Sequence, residues 1–298
     1  MSRVLLITNP AAARTDPAVV RTVSTVLGRE GWDVDVAGTT RPGHAADLAR
    51  EGVRDGVDVI AVYGGDGTTT QAVTGMLGSE VPVALIPGGT GNVLAGNLRL
   101  PRDPAKAALL VARGTPRAVD LGRMERADGT RLFAVACGAG FDAELMGGTT
   151  TDAKRRWKMG AYVARAAEAI VDVKNIATRV MVDGKVLDYP AASVLVANCP
   201  EFVPPFLKFH SGVSLDDGVF DVVILSADGF LDSVGAFLQL LSGGPDRGQL
   251  HYARGSEITV VMEPTRPVQA DGDRAGDTPF TARVLPAALR VLVPKNGA

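Results

Sequence analysis

The run Asp58-Val59-Ile60-Ala61-Val62-Tyr63-Gly64-Gly65-Asp66-Gly67-Thr68-Thr69-Thr70 sets the fold class. Its first half is almost uninterruptedly apolar, as expected of a strand buried on both faces. Its second half turns through three glycines, and residues 68–77 predict a helix. A strand that passes through such a turn into a helix is the unit of a parallel sheet with right-handed crossovers. The segments on either side repeat the unit. Residues 4–8 predict a strand ending in Asn9-Pro10. Residues 16–27 predict a helix with Val19, Val20, Val23, Val26 and Leu27 at helical spacing, Asp16 as N-cap, Pro17 at the first position and Gly28 as the stop. Residues 33–36 and 44–50 predict the next strand and helix. Residues 81–86 predict another strand, ending in Pro87-Gly88-Gly89-Thr90-Gly91-Asn92.

Near residue 117 the pattern changes. Residues 118–121, 132–137, 177–182, 193–198, 219–225, 257–261, 281–285 and 289–293 predict short strands. Gly, Pro, Asn or Asp often lie between them, as in Asp183-Gly184 and Asp216-Asp217-Gly218. That is an antiparallel, β-rich layout. Residues 158–171 and 230–241 predict two helices within it. The expected architecture is α/β plus β: an α/β domain over residues 1–120, a β-rich domain over 121–298, and a cleft between them as the default ligand site.

Composition narrows the function classes. The formal charge of −2 gives no field that favours nucleic acid or bulk anionic membrane. Aromatic residues are only 5%, which argues against a stacking surface for single strands. The 35 glycines in 298 residues make about 12%, against about 7% in average chains, and point to tight turns and close backbone approaches. Two cysteines, Cys137 and Cys199, exclude a disulfide scaffold or cysteine-based zinc cluster. His44, His210 and His251 are far apart and form no HExxH pair. The N-terminal apolar run Val4-Leu5-Leu6-Ile7 is too short for a signal-peptide core, and no stretch approaches the length of a bilayer span. The expectation is a soluble cytoplasmic protein.

Two glycine-rich turns carry the chemistry. Gly64-Gly65-Asp66-Gly67-Thr68 lies at the carboxyl end of a predicted strand, where open parallel sheets bind ligands. Glycines there let backbone N–H groups approach phosphates, and a helix N-terminus adds a positive dipole end. A carboxylate in such a loop calls for a divalent cation or hydrogen bonds between it and a phosphate; the bland alternative is a plain Asp-Gly turn. Gly88-Gly89-Thr90-Gly91-Asn92 follows another strand of the same sheet. Asn9-Pro10 and Thr39-Thr40 also follow strands, so all four loops should share one rim. Gly138-Ala139-Gly140-Phe141-Asp142-Ala143 matches the letters of a dinucleotide fingerprint but lies in the β-rich half, where a structural or acceptor-lining loop is the better reading. Asp216-Asp217-Gly218 reads either as a hairpin turn or as a cation site of carboxylate and turn carbonyls. Asp271-Gly272-Asp273 reads either as an isolated turn or as a general base.

Taken in order along nearly the whole chain, these stations resemble the diacylglycerol kinase catalytic-domain family, which includes bacterial diacylglycerol kinases, sphingosine kinases and ceramide kinases. The family is related in fold to NAD kinase and 6-phosphofructokinase, and Gly-Gly-Asp-Gly-Thr is shared with NAD kinase. The later glycine-rich loop and Asp-Asp-Gly favour the lipid branch. The resemblance implies an ATP-binding N-terminal domain and a β-sandwich-like, lipid-acceptor C-terminal domain. Asn9, Pro10, Ala11, Ala12, Ala13, Thr39, Gly64, Gly65, Asp66, Gly67, Thr68, Thr69, Thr70 and Thr90 would bind ATP. Asp217, with the carbonyls of Ser214 and Val219, would hold a structural Mg²⁺. Asp273 would be the general base, with Asp271 next in line, and Asp66 would organise the Mg²⁺–ATP water network.

The implied activity is ATP- and Mg²⁺-dependent transfer of a γ-phosphoryl group to a lipid hydroxyl, with diacylglycerol giving phosphatidic acid, in phospholipid biosynthesis. The alternatives are an NAD kinase-like enzyme and a nucleotide- or lipid-binding regulator. Three residues depart from the family pattern. Asp273 replaces the usual Glu and is shorter by about 1.5 Å. Val93 stands where Asp is common, and Thr70-Gln71 replace Asn-Glu. Lys154-Arg155-Arg156-Trp157-Lys158 reads either as a solvated helix start with Trp157 packed on the core or as cations and an interfacial aromatic for transient membrane association. No nucleic-acid partner is expected, and the partners considered are a lipid substrate and a second copy of the chain in a homodimer.

Overall fold

The computed structural model describes residues 1–10, 16–140, 174–203, 207–208, 212–229, 232 and 248–295. The chain forms two compact units: Met1–Asp120 with Pro286–Ala298, and Leu121–Leu285. The linear division at residue 120 therefore leaves out one feature: the end of the chain returns to the first unit.

The first unit runs β1 (Arg3–Thr8), α1 (Pro17–Arg29), β2 (Asp33–Gly38), α2 (His44–Arg54), β3 (Val59–Gly64), α3 (Asp66–Met76), β4 (Val83–Pro87), α4 (Val93–Asn97), α5 (Pro104–Ala108) and α6 (Leu110–Arg113). The strands are parallel in the order β2-β1-β3-β4. Every residue of β3 is buried, as its apolar run requires. The order of winding reverses between β1 and β3, and the crevice at the carboxyl ends of such a pair is where doubly wound sheets take ligands. Helix α1 starts as its sequence dictates: Asp16 accepts the Ala18 N–H at 2.7 Å, with Pro17 next. It buries Val23 and Leu27. Gly28 does not stop it. The helix runs on to Arg29, and Gly31, at φ +86°, carries the chain away.

The second unit is made of strands. They are β5 (Thr115–Arg126), which begins in the first unit, β6 (Gly129–Phe133), β7 (Ala136–Gly140), β8 (Ile176–Val182), β9 (Lys185–Ala191), β10 (Ser193–Ala197), β11 (Glu201–Val203), β12 (Leu207–Lys208), β13 (Phe220–Leu225), β14 (Leu250–Gly255), β15 (Glu257–Glu263), β16 (Pro267–Ala270), β17 (Asp273–Asp277) and β18 (Phe280–Val293). One sheet has the order β14-β13-β10-β7-β16-β17. The other brings the start of β18 beside β15, β8 and β9, all antiparallel. Val194, Val196, Val222 and Ile224 of the first sheet meet Val180, Ile258, Val260 and Phe280 of the second in one fully buried core. Phe133 and Phe220 pack ring to ring at 5.4 Å. This is a β-sandwich.

The predicted strand over 132–137 is broken into β6 and β7, and those over 281–285 and 289–293 join as β18. Strands β9, β11, β12, β14, β16 and β17 were not expected. Gly138-Ala139-Gly140 is an interior strand paired with β10 and β16, so its dinucleotide-like spelling is sheet rather than ligand loop. Residues 141–143 and the predicted helix over 158–171 lie outside the described residues, as does that over 230–241 apart from Asp232. The last residues of β18 close the first unit. Val291 pairs in parallel with Val83 of β4, Ala287 donates its N–H to the buried Asp120 at 2.8 Å, and Arg290 pairs with Glu80.

Candidate functional site

Four loops leave the carboxyl ends of β1, β2, β3 and β4, and hydrogen bonds tie them together. The Asn9 amide donates to the Thr68 hydroxyl at 3.0 Å, across the point where the winding reverses. The Thr39 N–H donates to the Thr8 carbonyl at 2.8 Å. The Gly88 N–H donates to the Gly64 carbonyl at 2.9 Å. Gln71 on α3 accepts the Gly43 N–H at 3.0 Å and so fixes the loop after Thr39.

The two glycine-rich loops touch backbone to backbone. A Cβ on Gly89 would lie 2.5 Å from the Gly65 Cα, closer than any side chain allows. Asn92 locks the second loop: its Oδ1 accepts the Gly89 N–H at 3.0 Å and its Nδ2 donates to the Gly89 carbonyl at 2.8 Å. Asp66 sits between the loops, half-buried, at the first position of α3. Its Oδ1 accepts the Val93 N–H at 2.7 Å. Its Oδ2 faces Gly91, where a Cβ would come within 2.6 Å, so only glycine lets the carboxylate sit there. Burial pushes the Asp66 carboxyl above the ordinary carboxylate range, while backbone N–H groups of Val93, Asn92 and Leu94 pull the other way. Asp66 is therefore a brace between two loops, not a free surface carboxylate.

The other expected nucleotide contacts divide by burial. Thr68 and Thr69 are buried, at 6% and 9% exposure, so their side chains serve the packing of α3. Thr39 and Thr70 are half-buried, while Pro10, Gly67 and Thr90 are exposed at the rim. Ala11, Ala12 and Ala13 lie outside the described residues. The first-turn amides of α3 have no partner within their helix and bring its positive dipole end to the rim. Glycine-cleared backbone, a helix N-terminus and a carboxylate at the rim suit a polyphosphate with a divalent cation. Asp66 is the residue that would hold that cation.

In the second unit, Asp271 and Gly272 form the two-residue turn between β16 and β17, with φ +48° and +82° and Ala270 paired with Asp273. The Asp271 carboxylate is fully engaged. Oδ2 accepts the Ala134 N–H at 2.8 Å, and Oδ1 accepts those of Val135 and Ala136 at 2.8 and 3.2 Å. These bonds are what interrupt the strand expected over 132–137, and they make Asp271 an anchor rather than a second candidate base. Asp273, the next residue but one, is exposed. Asp183-Gly184 repeats the device: φ +47° and +82°, with the Asp183 carboxylate on the N–H groups of Ser256 and Glu257.

The expected Mg²⁺ ligands are differently occupied. Asp217 pairs with the Arg254 guanidinium and accepts the Val219 N–H at 3.3 Å, and the Ser214 hydroxyl donates to Asp216. With Arg254 in place, this carboxylate does not fit a divalent ion. Among the described residues, no three His, Cys, Asp or Glu side chains cluster as a metal site. Sequence reading gave no local signal for Arg254. Gln71 was visible only as a departure from the family pattern.

Residues 3–124 match the family model of the diacylglycerol kinase catalytic domain, and residues 135–293 match the YegS C-terminal NAD kinase beta sandwich-like domain. A Mycobacterium tuberculosis protein named diacylglycerol kinase is 29% identical over 262 residues, covering 85% of this chain and 82% of that protein. One of the same name from Bacillus subtilis is 27% identical over 305 residues, covering 100% and 98%. Against an uncharacterized Synechocystis protein, 25% identical over 248 residues, this chain spans 56% of the relative's length. The crystal structure of a diacylglycerol kinase from Bacillus anthracis superposes with a TM-score of 0.77 over 99% of this chain and 97% of that one, at 22% identity, a likeness of fold.

Proposed function

Starting from a chain that belongs to the diacylglycerol kinase family of phosphotransferases, with a YegS-type C-terminal domain, we propose that it transfers the γ-phosphoryl group of ATP to the hydroxyl of a diacylglycerol-like lipid. The observation that carries this reading is the close approach of the Gly64–Asp66 and Gly88–Gly91 turns around the Asp66 carboxylate. Phosphoryl transfer needs mainly positioning and charge stabilisation. Backbone amides at the rim would orient the phosphates, and Asp66 would offer Oδ2 toward the nucleotide's cation. A bound Mg²⁺ supplies screening of the phosphate charge. Asp273 accepts the proton of the acceptor hydroxyl as the new phosphorus–oxygen bond forms and the bond to the β-phosphate breaks, releasing ADP.

Among the described residues no helix is long and apolar enough to cross a membrane. Residues 154–158 lie outside the described residues. Their four cations and Trp157 are the feature that would bring the enzyme transiently to an anionic bilayer. The test is transfer from radiolabelled ATP to diacylglycerol, monoacylglycerol, sphingosine, ceramide, undecaprenol and NAD, offered in parallel. Labelled phosphatidic acid is the expected product. Label in NADP instead would make this an NAD kinase-like enzyme, and ATP binding without transfer would make it a regulator.

A further inference from the structure

Asp221 on β13 and Arg254 on β14 stand directly opposite in the antiparallel register. The Asp221 side chain is 8% exposed and meets the Arg254 Nε at 3.2 Å. A buried carboxylate stays ionised only beside a counter-charge, and the register supplies one. The same guanidinium reaches further. Its Nη2 pairs with Asp217 in the loop before β13 and faces the Gly212 carbonyl at 3.4 Å. Two carboxylates and a main-chain carbonyl thus converge on one planar cation. Those are the donor types a hard divalent ion would require at this turn.

We infer that Arg254 is the resident cation of the Asp216-Asp217-Gly218 turn, and that this chain holds the turn without a divalent metal. Arginine is charged at every accessible pH, and its fork of donors suits carboxylates. It is tethered by its own strand, so its local concentration never falls. The neighbouring Asp216 is engaged within the turn itself, its Oδ1 accepting the Ser214 hydroxyl. A metal at Asp217 would have to displace the guanidinium or sit against its like charge.

The test uses the full chain without nucleotide or acceptor, so its outcome is independent of the proposed reaction. Wild type, Arg254→Met and Asp217→Asn are titrated with Mn²⁺ by electron paramagnetic resonance and melted in EDTA and in Mg²⁺. Wild type should show no Mn²⁺ site that Asp217→Asn removes. Its Tm should shift by less than about 1 °C between EDTA and about 10 mM Mg²⁺, because a ligand that does not bind the native state does not stabilise it. Arg254→Met should melt several degrees lower in EDTA. A wild-type Mn²⁺ site lost in Asp217→Asn overturns the inference, and so does an Arg254→Met protein as stable as wild type in EDTA. If Arg254→Met does not fold, the wild-type titration decides by itself.

Discussion

The Oδ1 of Asp66 accepts the backbone N–H of Val93 at 2.7 Å, so one carboxylate joins the loop after β3 to the start of α4. The position where family members commonly carry Asp contributes here through its main chain. Asp66→Ala therefore does more than remove a charge: it leaves a partly buried N–H without its acceptor, at a cost of about 1–3 kcal/mol, besides abolishing transfer. Asp66→Asn keeps a neutral acceptor of the same shape. It should also lack activity, yet melt at or above wild type near neutral pH. The two Tm values measured alongside activity separate brace from cation ligand.

The pH dependence of that comparison follows from the raised Asp66 pKa. Raised in the fold, it gives stability that is full below the ordinary carboxylate value and lost as pH rises through the folded value. Asp66→Asn lacks this dependence. Its advantage over wild type should grow as pH rises above about 4 and level off once Asp66 is ionised in the fold, in thermal melts. A constant difference would assign Asp66 an ordinary pKa.

Gly89→Ala should force the two glycine-rich loops apart, because the atom it meets is the Gly65 Cα, which has no rotamer to give. The expected loss is about 1–3 kcal/mol, as for overpacking in general. ATP affinity should fall with it, by isothermal titration. Thr90→Ala, exposed on the same loop, should leave the Tm unchanged.

Asp273→Asn should lower kcat by about 100-fold or more and leave ATP affinity near wild type, since a base acts in the transition state. Asp273→Glu should keep activity and raise it if the shorter side chain limits reach. Full turnover by Asp273→Asn would move the base elsewhere, and Asp271 is too committed to backbone to take its place.

Asp271→Ala should be the most destabilising of these changes, on the order of 3 kcal/mol, because three N–H groups lose their acceptor at once. A Tm about 10 °C lower is the corresponding signal. Asp183→Ala should behave similarly, and any loss of activity there would reflect folding alone.

Replacing Lys154, Arg155, Arg156 and Lys158 with Gln should weaken co-sedimentation with anionic vesicles at low salt and reduce transfer to membrane-presented lipid. Transfer to a short-chain, water-soluble lipid should persist. Salt-insensitive, unchanged binding would leave the cluster as ordinary surface.

The first unit was legible because its signals are local. The apolar run into Gly64-Gly65-Asp66-Gly67 fixes strand, turn and helix within a dozen residues, and the four rim loops follow from repetition of that unit. Gly28 misled because a single glycine costs a helix only about 1 kcal/mol, which the burial of Leu27 beside it outweighs. The second unit was legible as antiparallel β but not in detail. Lys185–Ala191 contains a proline and carries Val186 on its exposed face, which blurs the inward alternation of Leu187, Tyr189 and Ala191. The roles of Asp271 and Arg254 depend on partners more than 100 residues away in one case and on strand register in the other. Spacing along the chain carries no record of either.

The return of residues 286–293 to β4 has a consequence for biosynthesis. A ribosome releases the first 120 residues long before the strand that completes their sheet. Until the last stretch emerges, Val83 faces no neighbour on that side and Asp120 lacks the N–H of Ala287. The nascent first unit thus waits with an open strand edge, the kind of edge that recruits other chains. The intervening 165 residues must be made before it closes. A truncation before residue 286 would therefore injure the first unit, although it deletes nothing from the segment between Met1 and Asp120.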